Sequence, residues 1–329
     1  MAEAKKLSGR AKELREAYSA LLEGVGTIVV GQGEMVQSLA LGTLTGGHVL
    51  LEGLPGLAKT LAIKAFAARL AASFSRIQFT PDLLPADLVG TRIYNVKTGD
   101  FTISKGPIFA NIVLADEINR APAKVQSALL QSMQERQVTI GGQTFELDEP
   151  FLVLATQNPI ETEGTYALPE AQVDRFLFKV LVPYPTREEE LEILERAQGL
   201  EIKDQAKPLL KPKQVLEARE EVGALHLDEK VKRYIIDLVF ATREPAAAGL
   251  ADLKPLIQYG ASPRATLALA AAARAEAFLQ GRAFVSPDDI KGVAYRVLRH
   301  RISLSYEAEA EDVTTDTVIK QLLAKVKVP

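Results

Sequence analysis

Leu50-Leu51-Glu52-Gly53-Leu54-Pro55-Gly56-Leu57-Ala58-Lys59-Thr60 decides the fold. A short apolar run, a turn with two glycines and a proline, and a Lys-Thr pair opening an alanine-rich segment read as buried strand, phosphate-binding loop and helix. Gly53 and Gly56 are expected to turn the backbone tightly and bring N–H groups against phosphate oxygens, with Pro55 stiffening the loop between them. Lys59 would bridge the β and γ phosphates of a nucleotide as a point charge, and the Thr60 hydroxyl would hold Mg²⁺. Leu54, Leu57 and Leu61 complete the nucleotide-binding stretch. The pattern G-x-x-x-x-G-K-[ST] wants glycine at position 58, where this chain has alanine. The expectation is that the chain is already helical there, so that no positive φ is needed. The competing reading, an ordinary βα loop with a solvated lysine, loses weight once the apolar strand in front is counted.

Working outward, 329 residues allow about two domains, and 47% hydrophobic with 25% charged residues is ordinary for a globular chain. The chain has no cysteine, which excludes disulfides, thiolate metal sites and cysteine nucleophiles. Its three histidines, at 48, 226 and 300, are too dispersed for a histidine-rich zinc site. A net charge of -3 argues against a protein dominated by nucleic-acid contacts. Met1 to Arg15 is charged and has no apolar core, so no secretory signal and no membrane insertion are expected, and the expected location is cytoplasmic.

Ala11 to Leu22 reads as an amphipathic helix, followed by Ile28-Val29-Val30-Gly31-Gln32 and a second helix ending near Gly46-Gly47. Val30 and Gly31, with Ile28 and Val29, offer an apolar slot and backbone groups for a base; plain core is an equally good reading. After the cradle come a helix from Leu61 to Phe74 and a strand Arg76–Phe79. Thr91–Val96 and Phe101–Ile103, joined by a Lys97–Asp100 turn, form a hairpin signature. A hairpin interrupting an αβ alternation is an insertion, and such insertions tend to carry function. Ile112-Val113-Leu114-Ala115-Asp116-Glu117 is a near-continuous apolar run ending in two acids, as a central parallel strand would be. At that carboxyl end Asp116 would orient the metal shell and Glu117 would polarise the attacking water. Val138–Ile140, Gly141-Gly142 and Gln143–Leu147 give a second hairpin. Phe151–Thr156 is another buried strand, delivering Asn158 to a position beside that water; alone, Asn158 reads as a turn residue before Pro159.

Four separated motifs then act together: Gly53–Thr60, Asp116-Glu117-Ile118-Asn119-Arg120-Ala121, Ala155–Pro159 and Leu168–Phe176. In order and spacing the chain resembles the MoxR family of AAA+ ATPases over most of its length. The resemblance implies an α/β fold: a P-loop αβα domain with a parallel central sheet over 1–186, carrying inserted hairpins at about 91–104 and 137–148, then an all-helical lid over 187–329. It implies ATP and Mg²⁺ as ligands, Asn158 as the sensor 1 residue and Arg175 as an arginine finger. A plain ion pair of Arg175 with Glu170 or Asp174 weighs equally on the residues alone. It further implies a homo-oligomeric ring, a hexamer being the expected size, that remodels, matures or inserts metal into a client protein complex. The typical partner carries a von Willebrand factor A domain; this chain has no D-x-S-x-S motif, so such a partner would be a separate chain.

Beyond Thr186 the pattern turns helical: 187–198, 213–222, 228–243, 262–280, 286–299 and 314–325. Ser262-Pro263-Arg264 places a cation in a helix first turn, opposed by the dipole by up to about 1 kcal/mol, and an anion would reconcile it. Arg264 is therefore the candidate sensor 2 residue, against the reading of an exposed arginine with no role. Ser286-Pro287-Asp288-Asp289 needs only a capping explanation. Two other functions stay open. A DNA-directed motor would need hairpins rich in Lys and Arg with interleaved aromatics, which neither hairpin has, and a nucleotide-switched scaffold would lack Glu117.

Overall fold

The computed structural model describes residues 6–97, 99–160, 164–199 and 207–329. The first five residues of the charged N-terminal stretch and Thr98 of the first hairpin turn lie outside the described residues. The chain forms two compact units. One comprises Ala17–Phe176 and Val180–Leu216; the other comprises Glu217–Pro329 with Leu177–Lys179 and the N-terminal residues up to Glu16.

In chain order the elements are α1 (Gly9–Gly26), α2 (Gly33–Thr45), β1 (Val49–Gly53), α3 (Lys59–Arg69), β2 (Phe74–Gln78), α4 (Pro85–Val89), β3 (Gly90–Asn95) and β4 (Asp100–Lys105). Then come β5 (Ile112–Asp116), a 3-10 turn at Ile118–Arg120, α5 (Ala123–Glu135), β6 (Gln137–Ile140), β7 (Gln143–Glu146), β8 (Leu152–Gln157), α6 (Glu170–Val173), β9 (Phe178–Val182) and α7 (Arg187–Gly199). Five of the strands make a parallel sheet in the order β2-β5-β8-β1-β9. The register pairs Leu114 with Leu154 and Leu51 with Thr156, which aligns the carboxyl ends of β1, β5 and β8. Residues 112–115 of β5 and 152–155 of β8 are buried along their whole length. Continuous apolar runs are what a parallel strand covered on both faces requires. Phe79, Val113, Ile118, Leu129, Phe151, Val153 and Phe176 share one core there.

Both hairpins form as antiparallel pairs, β3 with β4 and β6 with β7. Gly141 and Gly142 have φ of 57° and 86°, the two positive values that a two-residue type I′ turn needs. The helix expected to reach Phe74 stops earlier, at Arg69. Ala71 turns left-handed at φ 47°, and Phe74 instead pairs with Ile112 to start β2. Sheet pairing overrides the helix propensity of the alanine run there.

The second unit holds the last part of α8 (Pro212–Gly223), α9 (Glu229–Arg243), α10 (Pro263–Leu279), α11 (Pro287–Leu298), α12 (Tyr306–Ala310) and α13 (Thr315–Lys325). Buried Ala265, Ala268, Ala272 and Ala275 give α10 a narrow face that lets neighbouring helices approach closely. Ser286 and Asp289 form a reciprocal capping box, with Arg282 donating to the Asp289 carboxylate, so the acids there are accounted for locally. The sequence pattern missed one detail: β10 (Ile257–Tyr259) and β11 (Ser303–Leu304) make a short antiparallel pair. Two or three residues are too few for a period-two signal.

Candidate active site

The carboxyl ends of β1, β5 and β8 open on a cavity of about 420 Å³, within the range of small-molecule sites. Pro55 to Leu61, Arg76, Asp116, Glu117, Thr156 and Asn158 line it. The cavity thus brings together Lys59, Thr60, Asp116, Glu117 and Asn158 from three strand ends far apart in sequence.

The glycines of the cradle differ from expectation in what they do. Gly56 makes the turn, at φ 84° with open space where a Cβ would stand. Gly53 ends β1 and is needed for room: a Cβ there would lie 2.7 Å from the Val182 carbonyl oxygen and 2.8 Å from the Val182 Cβ. Ala58 is not helical. At φ 54° and ψ 18° it is left-handed and forms the N-cap of α3, so alanine stands where glycine would be unstrained. That costs roughly 1–2 kcal/mol. Lys59 Nζ donates to the Gly53 carbonyl at 2.6 Å, folding the side chain back over the loop. Burial lowers the pKa of its ammonium, and the charges of Asp116 and Glu117 oppose that shift.

Thr156, a buried hydroxyl at the end of β8, orders both acids. Its Oγ1 donates to Asp116 Oδ1 at 2.6 Å and accepts the Glu117 N–H at 2.8 Å. Glu117 is left-handed, φ 57° and ψ 51°, at the start of the 3-10 turn. Gln126 of α5 holds that turn from behind, its amide donating to the Ile118, Ala121 and Tyr166 carbonyls. On the cavity side, Asp116 Oδ2 accepts from Arg76 Nη2 at 2.7 Å and Nε at 3.0 Å. Glu117 Oε2 accepts from Gln78 Nε2 at 2.8 Å and Arg120 Nη1 at 3.0 Å. Sequence reasoning gave no role to Thr156, Arg76 or Gln78. The signals were available: a polar residue closing an apolar strand, and two polar residues spaced i, i+2 on β2, which share one face.

Asn158 is buried, and its Oδ1 accepts the Ile160 N–H at 3.3 Å. Its Nδ2 has no hydrogen-bond partner among the described residues. Arg175 lies in the turn after α6 and not in the cavity wall; its Nε is buried and likewise unpartnered among the described residues. Val30 and Gly31 are outside the lining as well. Gly31, at φ 75°, packs against α7, where a Cβ would lie 2.8 Å from the Glu189 carboxylate. Arg264 belongs to the other unit, in the first turn of α10, where the Ser262 hydroxyl caps its N–H at 3.2 Å.

The donors fit a nucleotide with a divalent cation. A half-buried lysine and an orphaned buried amide donor face one space, as phosphate oxygens would require. Asp116 and the Thr60 hydroxyl are hard oxygen donors on the cavity wall. That matches Mg²⁺, which takes one or two protein oxygens and completes its shell with water and phosphate.

Sheet order, cradle and paired acids define a P-loop ATPase of the AAA class. Residues 48–178 match the profile of the ATPase family associated with various cellular activities (AAA), and residues 251–322 match that of the AAA lid domain. Within that class the chain belongs to the MoxR family. It is 50% identical to the protein named Chaperone MoxR1 of Mycobacterium tuberculosis, over 98% of this chain and 84% of that one. It is 35% identical to Protein MoxR of Paracoccus denitrificans, over 92% of this chain and 93% of that one. The crystal structure of a Cytophaga hutchinsonii protein classed as an ATPase superimposes with a TM-score of 0.92 at 52% identity, covering 97% of each chain. The protein is therefore a chaperone-like member of the AAA+ ATPases. No helix among the described residues is long and apolar enough to cross a membrane.

Proposed function

We propose that this chain hydrolyses ATP in a homo-oligomeric ring and uses the cycle to remodel, mature or load metal into a client protein complex. A von Willebrand factor A domain protein on a separate chain is the proposed partner. The observation that supports this reading best is the cavity in which Lys59, Asp116, Glu117 and Asn158 converge at three adjacent strand ends.

The loop from Gly53 to Leu61 takes the phosphates, and Lys59 neutralises charge on the β and γ groups. Val30 and Gly31 supply the base slot. Thr60 and Asp116 would hold Mg²⁺, and the ion would neutralise phosphate charge there. Glu117 orients the attacking water and draws its proton, so that the oxygen adds to the γ phosphorus as the bond to the β-phosphate oxygen breaks. Asn158, with a donor to spare, holds a γ-phosphate oxygen or that water. Arg175 reaches the site of the neighbouring subunit, where a guanidinium stabilises transition-state charge. Arg264 couples nucleotide state to the helical unit.

The test mixes two dead variants. Glu117→Gln and Arg175→Ala should each abolish turnover. In a randomly mixed ring about one site in four pairs an intact Glu117 with an intact Arg175, so activity should return to about that fraction of wild type. Turnover by Arg175→Ala alone, or no recovery on mixing, refutes the shared site.

A further inference from the structure

The acid assigned to the metal already has a cation on it. Arg76 grips Asp116 Oδ2 with two nitrogens, at 2.7 and 3.0 Å, on the side that faces the cavity. Thr156 holds the other carboxylate oxygen from within the sheet. The two partners differ in freedom: the Asp116 side chain is 15% exposed and that of Arg76 is 49% exposed. The acid is fixed by the strand end and the arginine is the part that can leave.

The grip is also connected. The same Arg76 Nη2 donates to Gln78 Oε1 at 2.9 Å, and the Gln78 amide passes the restraint to Glu117 Oε2 at 2.8 Å. Arg76 and Gln78 project from the same face of β2, and β2 pairs directly with β5, with Gln78 opposite Asp116. One hydrogen-bonded line therefore runs from Asp116 through Arg76 and Gln78 to Glu117. A divalent cation and a guanidinium compete for one carboxylate oxygen in a partly buried pocket, because their charges repel at contact distance.

Resting on the nucleotide-site reading above, we propose that Arg76 is a latch on the metal ligand. Its guanidinium occupies the Asp116 oxygen that a divalent cation requires, and entry of the cation swings it out. Arg76 is in this sense a positioning residue: it sets how much cation is needed before the two acids take their working arrangement. A latch closed about nine times in ten would lower apparent metal affinity about tenfold.

The experiment titrates Mn²⁺, as a paramagnetic substitute for Mg²⁺, into the full chain loaded with ADP, and reads free metal by electron paramagnetic resonance. Arg76→Ala should bind Mn²⁺ about tenfold more tightly than wild type. Arg76→Lys, which keeps the charge but not the two-pronged grip, should also bind more tightly than wild type. Unchanged or weaker Mn²⁺ binding by Arg76→Ala overturns the latch. So does Arg76→Lys equal to wild type, since that result leaves only charge repulsion. Loss of ADP binding by Arg76→Ala in EDTA would make the residue a phosphate ligand and would equally overturn it. Failure of the wild type to bind ADP would instead remove the nucleotide-site reading on which the latch rests.

Discussion

Thr156→Val keeps the shape of a buried side chain and removes one hydroxyl, and that hydroxyl holds both acids. Thr156 is 1% exposed; its Oγ1 donates to Asp116 and accepts from the Glu117 N–H. Losing a hydrogen bond to a carboxylate costs about 1.5–3 kcal/mol, and stranding a partly buried backbone N–H costs about 1–3 kcal/mol. Two effects reduce the sum. Water in the adjacent cavity can reach one of the orphaned groups, and Glu117, left-handed at φ 57°, can relax by roughly 1 kcal/mol once its anchor is gone. A net loss of about 2–4 kcal/mol follows. For a unit of this size each kcal/mol is worth about 2–4 °C, so its calorimetric transition should fall by roughly 4–16 °C. Thr156→Ser, which keeps the hydroxyl, should lose far less. A valine variant that melts within about 2 °C of wild type would show that the hydroxyl does not hold the acids, and the account of how β8 organises the site would fail.

Ala58→Gly removes roughly 1–2 kcal/mol of left-handed strain and adds about 0.5–1 kcal/mol of unfolded-state entropy. The variant should come out more stable by up to about 1.5 kcal/mol, read as a higher urea midpoint; a lower midpoint would mean that Ala58 is not strained. Lys59 gives the pH dependence. Its folded pKa is lowered, chiefly by burial, so below the ordinary lysine range the unfolded chain binds this proton more tightly than the folded one. The resulting destabilisation is fully present below the lowered pKa and is relieved as pH rises from there to the ordinary lysine value. Wild type should gain stability relative to Lys59→Met across that window in nucleotide-free denaturation. Parallel pH profiles for the two would refute the burial argument.

Much of this was legible from residue order because parallel strands buried on both faces leave a plain mark. The runs 112–115 and 152–155 read as central strands, and the polar residues that end them then meet at one edge. The hairpins were legible from Gly141-Gly142 and from the alternation on either side of Gly99. What could not be read was long-range and side-chain-specific. That Arg76 reaches Asp116 depends on β2 lying beside β5, a neighbour relation with no local signature. That Gly53 is demanded by Val182 depends on β9 closing over the end of β1. Ala58 was misread because dihedrals at a strand-to-helix turn follow from the loop's path and not from the residue's own preference.

The distribution of broken local rules adds a separate argument for where the chemistry sits. Five non-glycine residues among those described have positive φ. Ala71, Arg136 and Asp312 follow helix ends, where a left-handed residue is an ordinary stop. Ala58 and Glu117 instead precede helical turns, a place where no cap requires that conformation, and both line the same cavity. The orphaned amide of Asn158 and the half-buried ammonium of Lys59 are in that cavity too. In the helical unit Ser286, Asp289 and Arg282 hydrogen-bond to one another, while the buried Tyr234 hydroxyl has no partner among the described residues. Strain and unmet polar groups persist only where the surrounding structure over-determines them. Here the left-handed pair Ala58 and Glu117 is over-determined by three buried strands held in register, at the side chains proposed to handle phosphate, cation and water.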